Sequence, residues 1–202
     1  QWSNDGPIRL ADNKDGERVD ARKKPGYAGR ARLTSHAVIP SAANNVPVVE
    51  RERLSAALIT TPKGTTVLDF GQNIAGYIQF DTEAQAGRGI TLRFGELLDS
   101  QGEFTQRNIQ LTTKHRTTPL QQIAYICRDG QNAYRTTFAI FGFRYVLVES
   151  DVPIRPADFT AIAVYSDFEE TGQFECSNAL LNQFFQNTLW SAKGNACDLP
   201  TD

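Results

Sequence analysis

Residues 65–84 read TTVLDFGQNIAGYIQFDTEA, and this stretch decides the fold. Two apolar runs flank a break at Gly71-Gln72-Asn73. In the second run Ile74, Gly76, Ile78 and Phe80 alternate with Ala75, Tyr77 and Gln79. That period of two turns one face of a strand inward. After a turn at Ala86-Gly87-Arg88-Gly89, ITLRFGELL (90–98) repeats the pattern with Ile90, Leu92 and Phe94 on one side. IAYICRDGQNAYRTTF (123–138) predicts a hairpin folding at Asp129-Gly130, a pair suited to positive φ. FGFRYVLVES (141–150) and FTAIAVYSDF (159–168) are further β-branched and aromatic runs, separated by Pro153 and Pro156. Strands at this spacing, with no helix between them, predict an all-β fold, an antiparallel β-sandwich over residues 33–172. Its interior is expected to hold Phe70, Ile78, Phe80, Leu92, Phe94, Phe143, Tyr145 and Val164.

Working outward, residues 1–32 are polar and turn-rich and read as a long edge loop or the tail of a preceding module. Pro40 and Pro47 exclude a central strand there. At the other end the period changes. Leu181, Phe184, Phe185, Thr188, Leu189 and Ala192 recur at helical steps, with Ser177 as the expected N-cap and Gly194 as the expected C′ glycine. A C-terminal α-helix with an aromatic stripe needs a surface to bury against.

A net charge of −2 and hydrophobic and charged fractions of 40% and 22% describe an ordinary globular chain. They supply no field for nucleic acid, and no apolar run is long enough to span a bilayer. The basic cluster Arg22, Lys23, Lys24, Arg30 and Arg32 sits beside Asp12, Asp15, Glu17 and Asp20 and reads as a solvated loop, not an RNA contact. There is no methionine, so Gln1 is expected to be a processed or cut start. Cys127, Cys176 and Cys197 are scattered and read as free thiols. The compartment, cytoplasmic or exported, stays open.

His36 and His115 lie at no ligand spacing, which argues against zinc. The acids of DNKDGERVD (12–20) could ligate calcium, but they lack the EF-hand spacing and its closing glutamate. Calcium is thus an open candidate and no other cofactor is expected. Asp69, Glu96 and Asp99 lie near strands and are the candidates for a hydrolytic carboxylate pair. None shows the every-second-residue pattern that would project several acids into one cleft, so they read as turn or surface acids.

Six fragments occur in an order that goes beyond composition: GPIRLADNKDGERVDAR (6–22), DFGQNIAGYIQF (69–80), GRGITLRFGELLDSQGEF (87–104), FAIFGFRYVLVES (138–150), YSDFEETGQFECSNALLNQ (165–183) and LPTD (199–202). Together they resemble the bacterial α-L-rhamnosidases over nearly the whole chain. The segment around QLTTKHRTTPLQQIAYICRDG (110–130) departs from the usual pattern. The resemblance implies a jelly-roll or concanavalin-like sandwich ahead of an (α/α) barrel that hydrolyses terminal L-rhamnose with inversion. By it, residues 1–32 end a preceding module, 33–172 form the sandwich, and 173–202 carry the linker and first helix of the barrel. Leu181, Phe184, Phe185 and Trp190 would then face the remaining barrel helices. Asp202 is the one sugar-binding residue carried over, with no catalytic acid or base. The implied partners are a rhamnose-containing glycoside and the rest of the barrel, with no nucleic acid and no membrane. The chain alone is expected to be inactive. The competing reading is a stand-alone carbohydrate-binding β-sandwich.

Overall fold

The computed structural model describes residues 5–33, 35, 38–42, 46–109 and 121–200. His36, His115, Asp202 and most of the divergent segment lie outside them. In chain order the elements are β1 (Ile8–Asp12), β2 (Gly16–Asp20), β3 (Val48–Ser55), β4 (Ala57–Thr60), β5 (Thr66–Ala84), β6 (Gly89–Gly95) and β7 (Leu97–Leu98). There follow β8 (Phe104–Thr105), β9 (Gln122–Ile126), β10 (Gly130–Arg135), β11 (Phe141–Ser150), β12 (Phe159–Ser166), α1 (Ala179–Gly194), β13 (Ala196–Cys197) and β14 (Leu199–Pro200).

The alternation read from residues 74–80 is the burial pattern observed. Ile74, Gly76, Ile78 and Phe80 are buried, and the residues between them are partly exposed. Ten strands form one curled sheet in the order β1-β2-β9-β6-β11-β5-β12-β3. β10 and β4 join β5 off that path. The first part of β5 lies between β4 and β11, and its second part lies between β10 and β12. One 19-residue strand therefore serves both layers of the sandwich. The curl closes through ring contacts: Phe80 on β5 meets Tyr125 on β9 edge-on, with centroids 5.1 Å apart. Phe94 lies 4.7 Å from Phe141 and 4.9 Å from Phe143. Each such ring contributes about 2–3 kcal/mol of burial plus a smaller edge-to-face term. Of the expected interior, all but Tyr145 are buried; Tyr145 is half-buried.

Three local expectations need correction. The stretch 123–138 turns at Gly130, whose φ is 79°, but it is not a hairpin. β9 pairs with β6 and β2, whereas β10 pairs with β5. The chain crosses between layers at this corner, and the buried side chain of Asn132 holds the crossing. Its Oδ1 accepts from Arg128 N (2.9 Å) and Tyr125 OH (3.2 Å). Its Nδ2 donates to the carbonyls of Arg128 (2.9 Å) and Gly130 (2.8 Å). Turn chemistry gives the reversal of a chain but not the partner of each arm. The second correction concerns α1, which is capped by Asn178 and not Ser177, with Oδ1 accepting from Leu180 N at 2.9 Å. Asparagine caps as well as serine does. Third, Gly194 is the last helical residue, and Asn195 closes the helix by bonding back to Ser191 O through N (3.1 Å) and Nδ2 (3.0 Å).

The amino-terminal segment, expected as a loop or a module's tail, supplies β1 and β2 at the edge of the same sheet. β2 pairs with β9, the one parallel pairing among the described strands. Gly16 has φ 105°, and a Cβ there would stand 1.9 Å from the Gln122 carbonyl oxygen, so only glycine lets the two backbones meet.

Helix α1 lies on β5, β12 and β13. Trp190 packs against the core, and the Phe185 ring is tilted against Phe174, with centroids 5.5 Å apart. Leu180, Leu181 and Phe184 stay exposed, at 81%, 50% and 70%. No described helix is long and apolar enough to cross a membrane.

Candidate functional site

The break in β5 at Gly71, where φ is 76°, is fastened by the aspartate two residues before it. Asp69 Oδ1 accepts from Gly71 N at 2.7 Å. Its two oxygens also take Nε and Nη2 of Arg144 at 2.8 and 2.9 Å, a two-point fork. The hydrogen-bonded guanidinium holds the Asp69 carboxyl below its ordinary value, against the opposing effect of burial. Arg144 also lies over the Tyr145 ring, 4.9 Å from its centroid. Asp69 is thereby a fastener of the bend, which sets the places of Gln72 and Asn73.

Glu96 follows the end of β6. Its Oε1 accepts from Asn73 Nδ2 at 3.3 Å and its Oε2 from Asn108 Nδ2 at 2.6 Å. A Cβ at residue 142 would stand 3.4 Å from Glu96 Oε1, so Gly142 leaves room for the carboxylate. Between this group and the last turns of α1 lies a cleft of about 350 Å³. Gln72, Asn73 and Glu96 line it from the sandwich, and Asn187, Trp190 and Asn195 from the helix side. Asp99 lies apart, accepting from the backbone N–H of Glu103 and Gln101, both at 2.9 Å, which lowers its pKa. The structure sets Asp69, Asp99 and Glu96 in three different places. One fastens a bend, one closes a loop, and only Glu96 faces the cleft.

Below the same helix end, Lys193 joins three elements. Its Nζ lies 3.0 Å from Glu170 Oε1 and 3.3 Å from Glu52 Oε1. It also sits over the rings of Tyr165 and Trp190, at 5.4 and 5.2 Å. Tyr165 OH donates to Glu52 at 2.8 Å. Burial would lower the lysine's pKa, but the hydrogen bond to Glu170 and the charge of Glu52 outweigh it and raise the group above its ordinary value. The cluster moors the last turn of α1 to β3, to β12 and to the segment between β12 and the helix.

The amino-terminal acids do not converge. Asp12 Oδ1 caps a turn through Lys14 N and Asp15 N (2.8 and 2.9 Å), and Asp20 forks with Arg22 at 2.8 Å. Glu17, 1% exposed, accepts from Tyr134 OH (2.5 Å) and from the N–H groups of Thr137, Phe138 and Ala139 (2.8, 2.6 and 3.2 Å). Among the described residues no group of three or more His, Cys, Asp or Glu could hold a metal ion. The role of Glu17 was not legible, because its partners lie far away in sequence. The mooring by Lys193 was missed as well, since a single lysine in a helical pattern reads as surface.

The family model described as the bacterial alpha-L-rhamnosidase concanavalin-like domain matches residues 59–165. That of the bacterial alpha-L-rhamnosidase 6 hairpin glycosidase domain matches 169–202. The chain is 32% identical to an alpha-L-rhamnosidase of Streptomyces avermitilis, with 98% of this chain and 20% of that protein covered. It is 30% identical to one of Alteromonas sp. (strain LOR), covering 98% and 22%. Among solved structures it resembles the S. avermitilis alpha-L-rhamnosidase complexed with L-rhamnose, with TM-score 0.82, 30% identity and coverage of 98% and 20%. It also resembles the native enzyme of Aspergillus terreus, with TM-score 0.80, 29% identity and coverage of 98% and 24%. The chain spans about a fifth of the length of the relatives it matches.

Proposed function

The chain belongs to the bacterial α-L-rhamnosidases, and on that premise we propose that it is the non-catalytic β-sandwich portion of an enzyme releasing terminal L-rhamnose from glycosides with inversion. Residues 33–172 form the supporting sandwich, with β1 and β2 completing its edge. Residues 173–202 begin the catalytic (α/α) barrel, and α1 is its first helix.

The observation that carries this reading is the exposed face of α1. Leu180, Leu181 and Phe184 stand in solvent on a helix that is otherwise moored to the sandwich. The stretch 169–202 that contains it matches a glycosidase domain. Barrel helices are the surface this face would bury against. Inverting hydrolysis needs a protonated carboxyl and a carboxylate about 6.5–9.5 Å apart. Of Asp69, Glu96 and Asp99, only Glu96 lines the cleft beside α1. We assign Asp202 a sugar-holding role, keeping the ring in its reactive pose.

The test is release of the aryl group from an aryl α-L-rhamnoside. The 202-residue chain is expected to release none, and a form extended through the barrel is expected to turn over. In that longer form Asp202→Ala lowers kcat sharply, and proton NMR of the first product shows the inverted anomer. Turnover by the 202-residue chain itself would overturn the reading.

A further inference from the structure

We infer that the cleft between the β5 bend and the end of α1 is a binding site for an uncharged sugar of monosaccharide size. The inference stands on the cleft alone and does not rest on the hydrolytic reading.

The amides are set in place before any ligand arrives. Asn73 Nδ2 is fixed on Glu96 (3.3 Å), and Gln72 Nε2 on the Asn73 carbonyl (2.9 Å). Across the cleft, Asn187 Oδ1 takes Gln183 Nε2 (2.8 Å), and Asn195 Nδ2 donates to Ser191 O (3.0 Å). One end of each amide is thereby held by the protein. That leaves Oε1 of Gln72, Oδ1 of Asn73 and Asn195, and Nδ2 of Asn187 for a ligand. Donors and acceptors in one small space suit hydroxyl groups, which do both. Trp190 adds an indole wall on which the C–H face of a sugar ring can pack.

Charge and size narrow the class. Glu96 is the one acidic or basic residue of the described lining, and the end of α1 adds partial negative charge. An anion is therefore repelled, while a cation would leave the Asn187 donor unused. The volume of about 350 Å³ lies at the small end of the roughly 300–1,000 Å³ usual for small-molecule sites. Three motifs that the hydrolytic chemistry does not use build this place. Asp69 and Arg144 fasten the bend, Gly142 clears space, and Glu96 is seated between Asn73 and Asn108. Fixed polar groups supported from behind are how a site reduces the ordering cost of binding.

The experiment titrates the full chain, carrying Trp2→Phe so that Trp190 is the only fluorescent indole, with L-rhamnose, D-glucose and glycerol, and with arginine as a cationic probe. Saturation-transfer NMR on the same samples reports binding should the indole be silent. The expected result is saturable binding of a neutral sugar, weakened about tenfold or more by Gln72→Ala and by Asn187→Ala, which change opposite walls, with the melting temperature unchanged. No saturable binding by either method, binding unaffected by both substitutions, or binding of arginine alone would each overturn the inference. Such a failure is separable from failure of the hydrolytic reading, because no turnover is measured.

Discussion

Asp69 and Arg144 meet side by side across the β5–β11 pair, Nε to Oδ1 at 2.8 Å and Nη2 to Oδ2 at 2.9 Å. They come from the two most specific fragments of the sequence, DFGQN and FGFRYV, and the fork is the physical link between them. Asp69 also takes the N–H of Gly71, so one carboxylate fixes both a strand pair and the bend within it.

The pair makes stability depend on acid. The folded-state pKa of Asp69 is depressed from 3.8, so its contribution is fully present above about pH 4 and is lost as pH falls through the lower folded value. Asp69→Asn is expected to lower stability at pH 7 by about 1–2 kcal/mol, a figure that allows for solvent at the partly exposed arginine. The same variant flattens the acid limb of stability below pH 4. Urea midpoints measured at several pH values test both; an unchanged acid limb would remove the fork from the account.

Glu17 is a larger liability. Glu17→Ala leaves three backbone N–H groups and a tyrosine hydroxyl without their acceptor, a loss of at least about 3 kcal/mol. For a chain of this size that is a fall in Tm of roughly 6–12 °C. Tyr134→Phe should cost only about 1 kcal/mol, since the backbone donors remain. Equal effects of the two, by calorimetry, would mean that the backbone bonds contribute little.

Gly76, like Gly16, marks a point of very close backbone approach in the sheet. A Cβ there would stand 2.0 Å from the Ile162 carbonyl oxygen, and neither backbone can yield without breaking the β5–β12 register. Gly76→Ala is expected at or beyond the upper end of the roughly 1–3 kcal/mol typical of overpacking. Gly64→Ala, where nothing crowds the position, costs only the strain of its positive φ. Paired urea titrations separate the two, and similar midpoints would contradict the packing described.

The exposed helix face predicts self-association. Leu181→Glu with Phe184→Gln should reduce binding of a hydrophobic dye and any dimer seen in sedimentation, with the β-type circular dichroism kept. Loss of the sandwich on the same substitutions would make α1 part of its core instead of a partner surface.

What the sequence disclosed follows from locality. Ile74 to Phe80 and Ile90 to Phe94 sit on strands whose inner faces are apolar, so burial is written at a period of two. The helix was legible for the same reason, to within one residue at its cap. β2 was not, because its buried positions include Gly16, Glu17 and Asp20, which read as loop. Asn132 was hidden likewise: a polar residue two places after a turn gives no sign that it holds a corner between layers. Glu96 reads from sequence as a turn or surface acid, since its seat depends on Asn73, Asn108 and Gly142 from three separate segments.

The seat of Glu17 also imposes an order on synthesis. Its backbone donors lie 120 to 122 residues further along the chain. At about 5–20 residues per second, a ribosome needs roughly 6–24 s to add that length. For most of that interval the amino-terminal strand has neither its parallel neighbour β9 nor the N–H and O–H donors that seat Glu17. Glu17, Arg18 and Asp20 keep the waiting segment hydrated, so the polarity that hid this strand from the reader also protects the nascent chain from premature pairing.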